Sequence, residues 1–326
     1  MNMIMSKIPV TVITGFLGAG KTSLLNHLIS SYPNKKFAVI ENEFGEVNID
    51  SELVTNVKNE NIFELSNGCI CCSLNDELYV VLKNLIQSNH QFNHLLIETT
   101  GIADPGSILA SFITDPFIKK EFELDAVICL VDAANASNII EKEIVLTKQI
   151  AISDQILINK TDVAGREKTN AVKTEVERIN KFARIEECIF AKPANKNLLD
   201  SFSYDPAKVY QFVLGLEANS SPPNKTTHGI ENMSYTSSIP MEQMKLGMWL
   251  DAFLKFNQES IYRIKGILYL EGVDKRIILQ SVHTQIQATV GKTWGKDEIR
   301  ESKIVIIGKN LNRKVIERNL DELLVK

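Results

Sequence analysis

The stretch Gly15-Phe16-Leu17-Gly18-Ala19-Gly20-Lys21-Thr22 constrains this chain more than any other, because it follows the apolar run Val10–Thr14 and leads into the helix-forming SLLNHLI. A GxxxxGK[ST] sequence between a strand and a helix is a phosphate loop. Its glycines let backbone N–H groups turn toward phosphate oxygens, and the helix N-terminus favours their negative charge. Lys21 reaches the β and γ phosphates of a bound nucleotide, and Thr22 offers its hydroxyl to Mg²⁺. The phosphate-binding set is accordingly Gly15, Gly18, Ala19, Gly20, Lys21, Thr22 and Ser23. At ordinary residue usage the pattern arises by accident in about one chain in a hundred of this length. A glycine turn without function is a poor account of it when strand and helix both flank it.

Such a loop belongs to an α/β sheet, and the rest of the sequence supplies one. Up to about residue 200, apolar runs alternate with helix-like stretches: Phe37–Glu41, a weaker run at Ile62–Leu65, then Leu95–Glu98, Ala126–Val131, Gln155–Ile158 and Cys188–Phe190. This spacing predicts βαβ units, hence a P-loop NTPase sheet that is mainly parallel with helices on both faces. Ligands in such sheets sit at the carboxyl ends of the strands. A chain of 326 residues exceeds one ordinary core. The segment ANSSPPNKTTHGI loses periodicity and reads as linker. Beyond it lie a strand-like MSYTSSI, a helix-like MEQMKLGMWLDAFLKF, strands near Ile264–Leu270, Arg276–His283 and Lys303–Ile307, and a closing helix from Leu311 to Leu324. The expected division is a P-loop domain over 1–215, a linker over 216–232 and a smaller α+β domain over 233–326.

Composition narrows the function classes. A net charge of −4 with lysine and glutamate interspersed gives no basic field, so nucleic acid is not an expected partner. No run reaches the 18 or so apolar residues of a membrane helix, and the apolar first residues read as a strand entering the glycine loop rather than as a signal peptide. Five cysteines, three of them crowded into four positions, do not form a disulfide framework and fit a reducing, cytoplasmic setting.

A second acid ends an apolar strand in Leu95-Leu96-Ile97-Glu98-Thr99-Thr100-Gly101. Glu98 is placed to hold the Mg²⁺ shell or its water, and the Gly101 N–H to face the γ-phosphate. No glutamine offers itself to orient the attacking water; the Thr99-Thr100 backbone is the substitute, which makes Lys21, Glu98, Thr99 and Thr100 the expected catalytic set. Base choice falls to Asn159-Lys160-Thr161-Asp162 after the strand QILI, since the Asp162 carboxylate can accept both N1–H and the exocyclic amine of guanine, a donor pair adenine lacks. The Ala191 backbone, after CIF, offers a contact to the guanine oxygen, with a plain loop an equally good reading.

The sequence Ser-Asn-Gly-Cys-Ile-Cys-Cys-Ser over 66–73 places Cys69, Cys71 and Cys72 beside a glycine turn. Thiolates suit Zn²⁺ or Cu(I), and two or three of them need another group to complete a tetrahedron. The acids of Glu41-Asn42-Glu43-Phe44-Gly45-Glu46 are candidates, although any one of them is more simply a solvated loop charge. A labile disulfide is the competing use of the thiols. Cys129 and Cys188 read as small buried hydrophobes. His90 and His94 are four apart, but the second enters a strand, and His27, His228 and His283 are isolated, so no histidine site is expected.

GFLGAGKT, ENEFGEVNID, GCICC, ETTG and NKTD in that order resemble the CobW-type P-loop GTPases, in their YjiA-like zinc-chaperone branch, and IYRIKGILYLEG, RIILQSVH, Trp294 and RESKIVIIG continue the likeness through the second domain. The resemblance implies GTP hydrolysis to GDP coupled to delivery of a metal, with Cys69, Cys71 and Cys72 as the metal motif, Glu41 or Glu46 as helpers, Thr22 as the Mg²⁺ ligand, a client metalloprotein as partner and a homodimer as one assembly. Many relatives carry a histidine-rich tract near the domain junction, where this chain has only His228. Cobalt or iron insertion, as in cobalamin synthesis or nitrile hydratase activation, and a nucleotide-gated redox protein are the alternatives. A small-molecule kinase fits less well, because NKTD is present and an acceptor lid is not recognisable. The first arginine of the chain is Arg166, so no loop before NKTD carries an arginine finger, and slow intrinsic hydrolysis is expected.

Overall fold

Strand β1 (Ile8–Gly15) stands inside an eight-stranded sheet, between β4 (His94–Glu98) and β5 (Phe122–Asp132). Outside β4 lie β2 (Phe37–Glu41) and then β3 (Ile62–Leu65); outside β5 lie β6 (Gln155–Asn159), β7 (Arg184–Ile189) and the short β8 (Lys192–Pro193). The order is β3-β2-β4-β1-β5-β6-β7-β8, parallel throughout except for the last pair. The structure, a computed structural model, describes residues 7–41, 62–65, 74–88, 91–195, 197–215 and 229–326.

Parallel neighbours require crossovers, and helices supply them. These are α1 (Lys21–Ser31), α2 (Leu74–Gln87), α3 (Gly106–Thr114), α4 (Pro116–Glu121), α5 (Ala136–Lys142), α6 (Ile144–Ile152) and α7 (Thr161–Ile179), the last bent at Gly165, whose φ is 73°. Every residue of β4 and of β6 is buried, which is why these strands read as unbroken apolar runs and not as alternations. The expected fold class is the one observed.

Chain order reverses across β1: from it the sheet grows toward β4 on one side and toward β5 on the other. The crevice at the carboxyl ends of β1, β4 and β5 is therefore where a ligand is bound in sheets of this kind. Beneath it, β1 and β5 slip register between Val10 and Thr11, leaving Asp125 as a bulge. Its carboxylate accepts from Thr11 Oγ1 at 3.0 Å, Asp200 N at 2.9 Å and Phe202 N at 2.6 Å, which ties the segment after β8 to the sheet.

A second unit takes Glu175–Phe182, at the end of α7, and everything from Ser203 onward. Its antiparallel sheet has the order β12-β11-β10-β13-β9, built from β9 (Ile230–Ser237), β10 (Ile261–Leu268), β11 (Lys275–Val282), β12 (Gln285–Thr293) and β13 (Ser302–Lys309). Helices α9 (Gln243–Phe256) and α10 (Arg313–Asp321) bury Leu246, Leu250, Leu254, Ile316 and Leu320 against one face. On the other, α8 (Pro206–Gly215) packs Val209 and Val213 against Ile267, Ile278 and Trp294. Arg276 is stacked at 4.0 Å over the Tyr210 ring and 4.9 Å over that of Trp294, and is ion-paired to Glu298. Covered on both faces and paired on both edges, β10 is buried at all eight positions.

Two expectations differ from this. The division at residue 215 gives α8 to the first domain, whereas its packing joins it to the second sheet, and β9 begins at Ile230 inside the expected linker. Strand β12 was not among the expected elements. It is an edge strand whose residues are mostly half or fully exposed, so it lacks a sustained apolar run, and its hairpin turn uses His283 in a left-handed conformation (φ 49°) in place of Asn or Gly.

Candidate nucleotide site

The phosphate loop joins β1 to α1. Its last glycine, Gly20, is the N-cap of α1 with φ 105°, and a methyl there would meet Asn159 Nδ2 at 2.7 Å, so both conformation and space demand glycine. No acidic residue lies in the first turn of α1, and the positive dipole end of the helix suits an anion. The loop closes on itself through Ala19 N to Phe16 O at 3.2 Å, and Lys21 Nζ donates to Phe16 O at a long 3.4 Å. Lys21 is only 9% exposed, its charge held within the mouth of the loop.

Thr22 Oγ1 donates to Glu98 Oε1 at 3.0 Å. A hydroxyl on α1 and a 9%-exposed carboxylate ending β4 thus converge, although 76 residues apart in sequence. A hard divalent cation asks for this oxygen pair, so the residues fit Mg²⁺. Glu41 ends β2 in parallel register with Glu98, which puts it at the same end of the sheet, one strand away.

The two threonines after Glu98 part company. Thr99 N donates to Ile13 O at 2.9 Å and its hydroxyl to Thr14 Oγ1 at 3.0 Å, so this fully buried residue fastens the loop to β1, and its N–H is not available to a water as expected. Thr100 keeps a buried hydroxyl that has no hydrogen-bond partner among the described residues. Gly101 packs directly on Leu17 of the phosphate loop. From α6, Gln149 Nε2 donates to Gly101 O at 3.3 Å and Ala103 O at 2.9 Å, and Lys148 pairs with Asp104 at 3.4 Å. The sequence reading missed both anchors, since nothing in LTKQIA signals a partner some 46 residues earlier.

Asn159 works as a knot. Its Nδ2 donates to Ala19 O at 2.9 Å, and its Oδ1 accepts from Ala191 N at 2.8 Å and Cys188 Sγ at 3.6 Å. The expected base-binding stretches, NKTD and Ala191, are therefore joined to each other and to the phosphate loop. The Cys188 thiol is pushed up to about 12 by burial and then by Glu186, and that of Cys129 to about 12 by burial, so both stay neutral. Cys188 does more than fill space, because it bonds the knot. Lys160, Phe190 and Ala191 all have positive φ, 62°, 53° and 56°, and cluster around this knot in sequence and space. Asp162 is exposed in the first turn of α7.

Of the expected metal set, Cys69, Cys71, Cys72 and Glu46 lie outside the described residues, as do His90 and His228. Among the described residues no group of three or more His, Cys, Asp or Glu side chains is arranged to hold a metal ion, and no helix is long and apolar enough to cross a membrane. His94 is fully buried in β4, its Nε2 2.9 Å from Thr11 Oγ1, and has a structural place.

A parallel sheet with its chain reversal at β1, a phosphate loop there and a Thr–Glu oxygen pair beside it define a P-loop nucleotide-binding protein. Residues 9–187 match the model of the CobW/HypB/UreG nucleotide-binding domain, and residues 230–324 that of the cobalamin synthesis protein cobW C-terminal domain. The chain belongs to the CobW/HypB/UreG family. It is 34% identical over 308 residues to the zinc chaperone YjiA of Escherichia coli, covering 93% of this chain and 95% of that one. The crystal structure of Zn(II)-bound YjiA GTPase from E. coli matches it with a TM-score of 0.73 and 30% identity, over 98% of this chain and 100% of that one. The zinc-regulated GTPase metalloprotein activator 1 of Schizosaccharomyces pombe is 36% identical over 191 residues, 57% of this chain and 46% of that protein.

Proposed function

We propose that this chain is a GTP-hydrolysing metallochaperone that binds Zn²⁺ through Cys69, Cys71 and Cys72 and passes it to a client metalloprotein, with the nucleotide setting how firmly the metal is held. The observation that carries the coupling is the register of Glu41 with Glu98. Glu41, the last residue of β2, stands one strand from the acid of the nucleotide site, so contacts of the γ-phosphate with the Glu41–Glu46 stretch would also bear on the metal's ligands. The names of the relatives, a zinc chaperone and a zinc-regulated metalloprotein activator, favour zinc over cobalt or iron.

In the hydrolytic step, Lys21 and the N–H groups at the start of α1 bind and orient the β and γ phosphates. Thr22 and Glu98 would hold Mg²⁺, which supplies positive charge against the phosphate oxygens. The Gly101 N–H faces the γ-phosphate, and Thr100 orients the attacking water. Asp162 and the Ala191 N–H read guanine. An arginine from a partner, a second subunit or the C-terminal domain would raise a slow intrinsic rate. The cytoplasm is the setting in which thiolates remain free for metal.

Linkage makes the coupling testable: if GTP tightens zinc binding, zinc must tighten GTP binding by the same factor. Competitive zinc titration of reduced wild type and of Cys71→Ser/Cys72→Ser, each with GDP or a nonhydrolysable GTP analogue, is the experiment. Tight, cysteine-dependent affinity that differs between the nucleotides supports the proposal. Affinity indifferent to both removes the metal switch and leaves the thiols to redox chemistry.

A further inference from the structure

Lys160 is held by a residue from a different strand. Its Nζ lies 2.8 Å from Oδ2 of Asp132, the last residue of β5, which stands in parallel register with Asn159 on β6. Asp132 is only 7% exposed, and its carboxylate also accepts from Ala134 N at 2.9 Å and Asn135 Nδ2 at 3.0 Å. Burial by itself would raise this acid, but the bonds from Lys160 and Asn135, the Lys160 charge and the Ala134 N–H outweigh it and hold the carboxyl below its ordinary range. It is therefore a fixed negative charge at neutral pH. On the other side of the pair, Lys160 has a left-handed backbone with φ 62°, a conformation a lysine keeps only where its surroundings impose it.

Neither residue is needed to build the sheet in this way: β5 and β6 are already buried and paired along their length. What the pair does is fix a four-carbon side chain, directly between the knot residue Asn159 and Asp162. We infer that Asp132 is a positioning residue for the guanine nucleotide, holding the Lys160 ammonium so that its methylene arm stands ready as a wall of the base site. The inference rests on the reading of Asn159–Asp162 as the base-recognition segment. A lysine that is ordered only when ligand arrives forfeits about ten- to thirtyfold in affinity through lost rotamer freedom, and a lysine pinned beforehand does not.

The test is a double-mutant cycle read by calorimetric titration with GDP and by the KM and kcat of GTP hydrolysis, on the full chain. Asp132→Asn keeps the shape and removes the charge; Lys160→Met keeps the methylenes and removes the ammonium. Each single change should raise the GDP Kd and the GTP KM about tenfold, with kcat changing much less, and the double variant should be no weaker than about twofold below either single. Should Asp132→Asn fail to fold, Asp132→Ser, which also removes the charge, takes its place in the cycle. GDP affinity within twofold of wild type in both singles, or losses that multiply in the double, would overturn the inference, the latter because Asp132 would then act other than through Lys160. Asp162→Asn serves as the separate arm: it should shift preference from GDP toward xanthosine diphosphate. If it does not, the base-recognition reading itself is wrong, whereas a shift there with an unaffected Asp132→Asn refutes the positioning role alone.

Discussion

Gly101→Ala is the change that most sharply probes the loop after β4. A methyl at this position would lie 2.5 Å from Leu17 N, 2.8 Å from Leu17 Cα and 2.7 Å from Leu17 Cδ2. The leucine side chain can swing aside, since Leu17 is 61% exposed, but its backbone is part of the phosphate loop and is held by the Ala19–Phe16 turn. To restore an ordinary contact of about 3.4 Å, loop and phosphate loop must separate by about 0.9 Å. Gln149 resists the retreat through its bonds to Gly101 O and Ala103 O, so the strain falls on the geometry around the γ-phosphate. A misplacement of about 1 Å at a reacting group costs on the order of a hundredfold in rate. Single-turnover GTP hydrolysis should fall by that factor, while GDP affinity, which does not call on Gly101, stays within about twofold. Hydrolysis within threefold of wild type would show that the Gly101 contact does not position the reacting phosphate.

Glu98→Gln should raise the Mg²⁺ concentration needed for half-maximal hydrolysis about tenfold or more, because the amide keeps the hydrogen bond to Thr22 but loses the charge that holds the cation; an unchanged Mg²⁺ midpoint would remove Glu98 from the metal's surroundings. His94 predicts acid sensitivity. Burial, then the Lys35 charge, lower it to about 3 against the pull of Asp200, so the unfolded chain binds a proton near pH 6.5 that the native chain refuses. Its contribution to stability is intact above pH 6.5 and is lost as pH falls toward 3, amounting to about 2 kcal/mol at pH 5 relative to pH 7.5. Asp125, raised chiefly by burial, acts in the opposite sense, so the measurement is the difference in thermal unfolding between wild type and His94→Gln at the two pH values. The variant should have the flatter pH profile, and parallel profiles would contradict the assignment.

Much of this protein is legible in the chain because its chemistry is local. The phosphate loop is eight consecutive residues whose glycines and lysine have fixed duties, and the strand Phe37–Glu41 is legible to its ends because its first four residues are buried and form an unbroken apolar run. The family likeness likewise rests on short contiguous motifs. Glu98 is legible as the acid that ends a strand, and Asp162 as part of the NKTD motif that follows one.

What only the tertiary structure decided are the relations between such stretches. That Thr99 turns its N–H and hydroxyl into β1 while Thr100 does not is a matter of register between strands 85 residues apart. The Asp132–Lys160 pair joins the ends of two adjacent strands, and Asp132 has no sequence neighbour that marks it, being one acid among 40 acidic side chains. Gln149 reaches a loop from a helix whose sequence reads as plain core. Helix α8 goes to the second sheet because Trp294 and Ile267 offer it an apolar bed, a preference no local propensity encodes. Local rules fix which residues can bind phosphate; packing fixes which backbone and side-chain atoms are left free to do so.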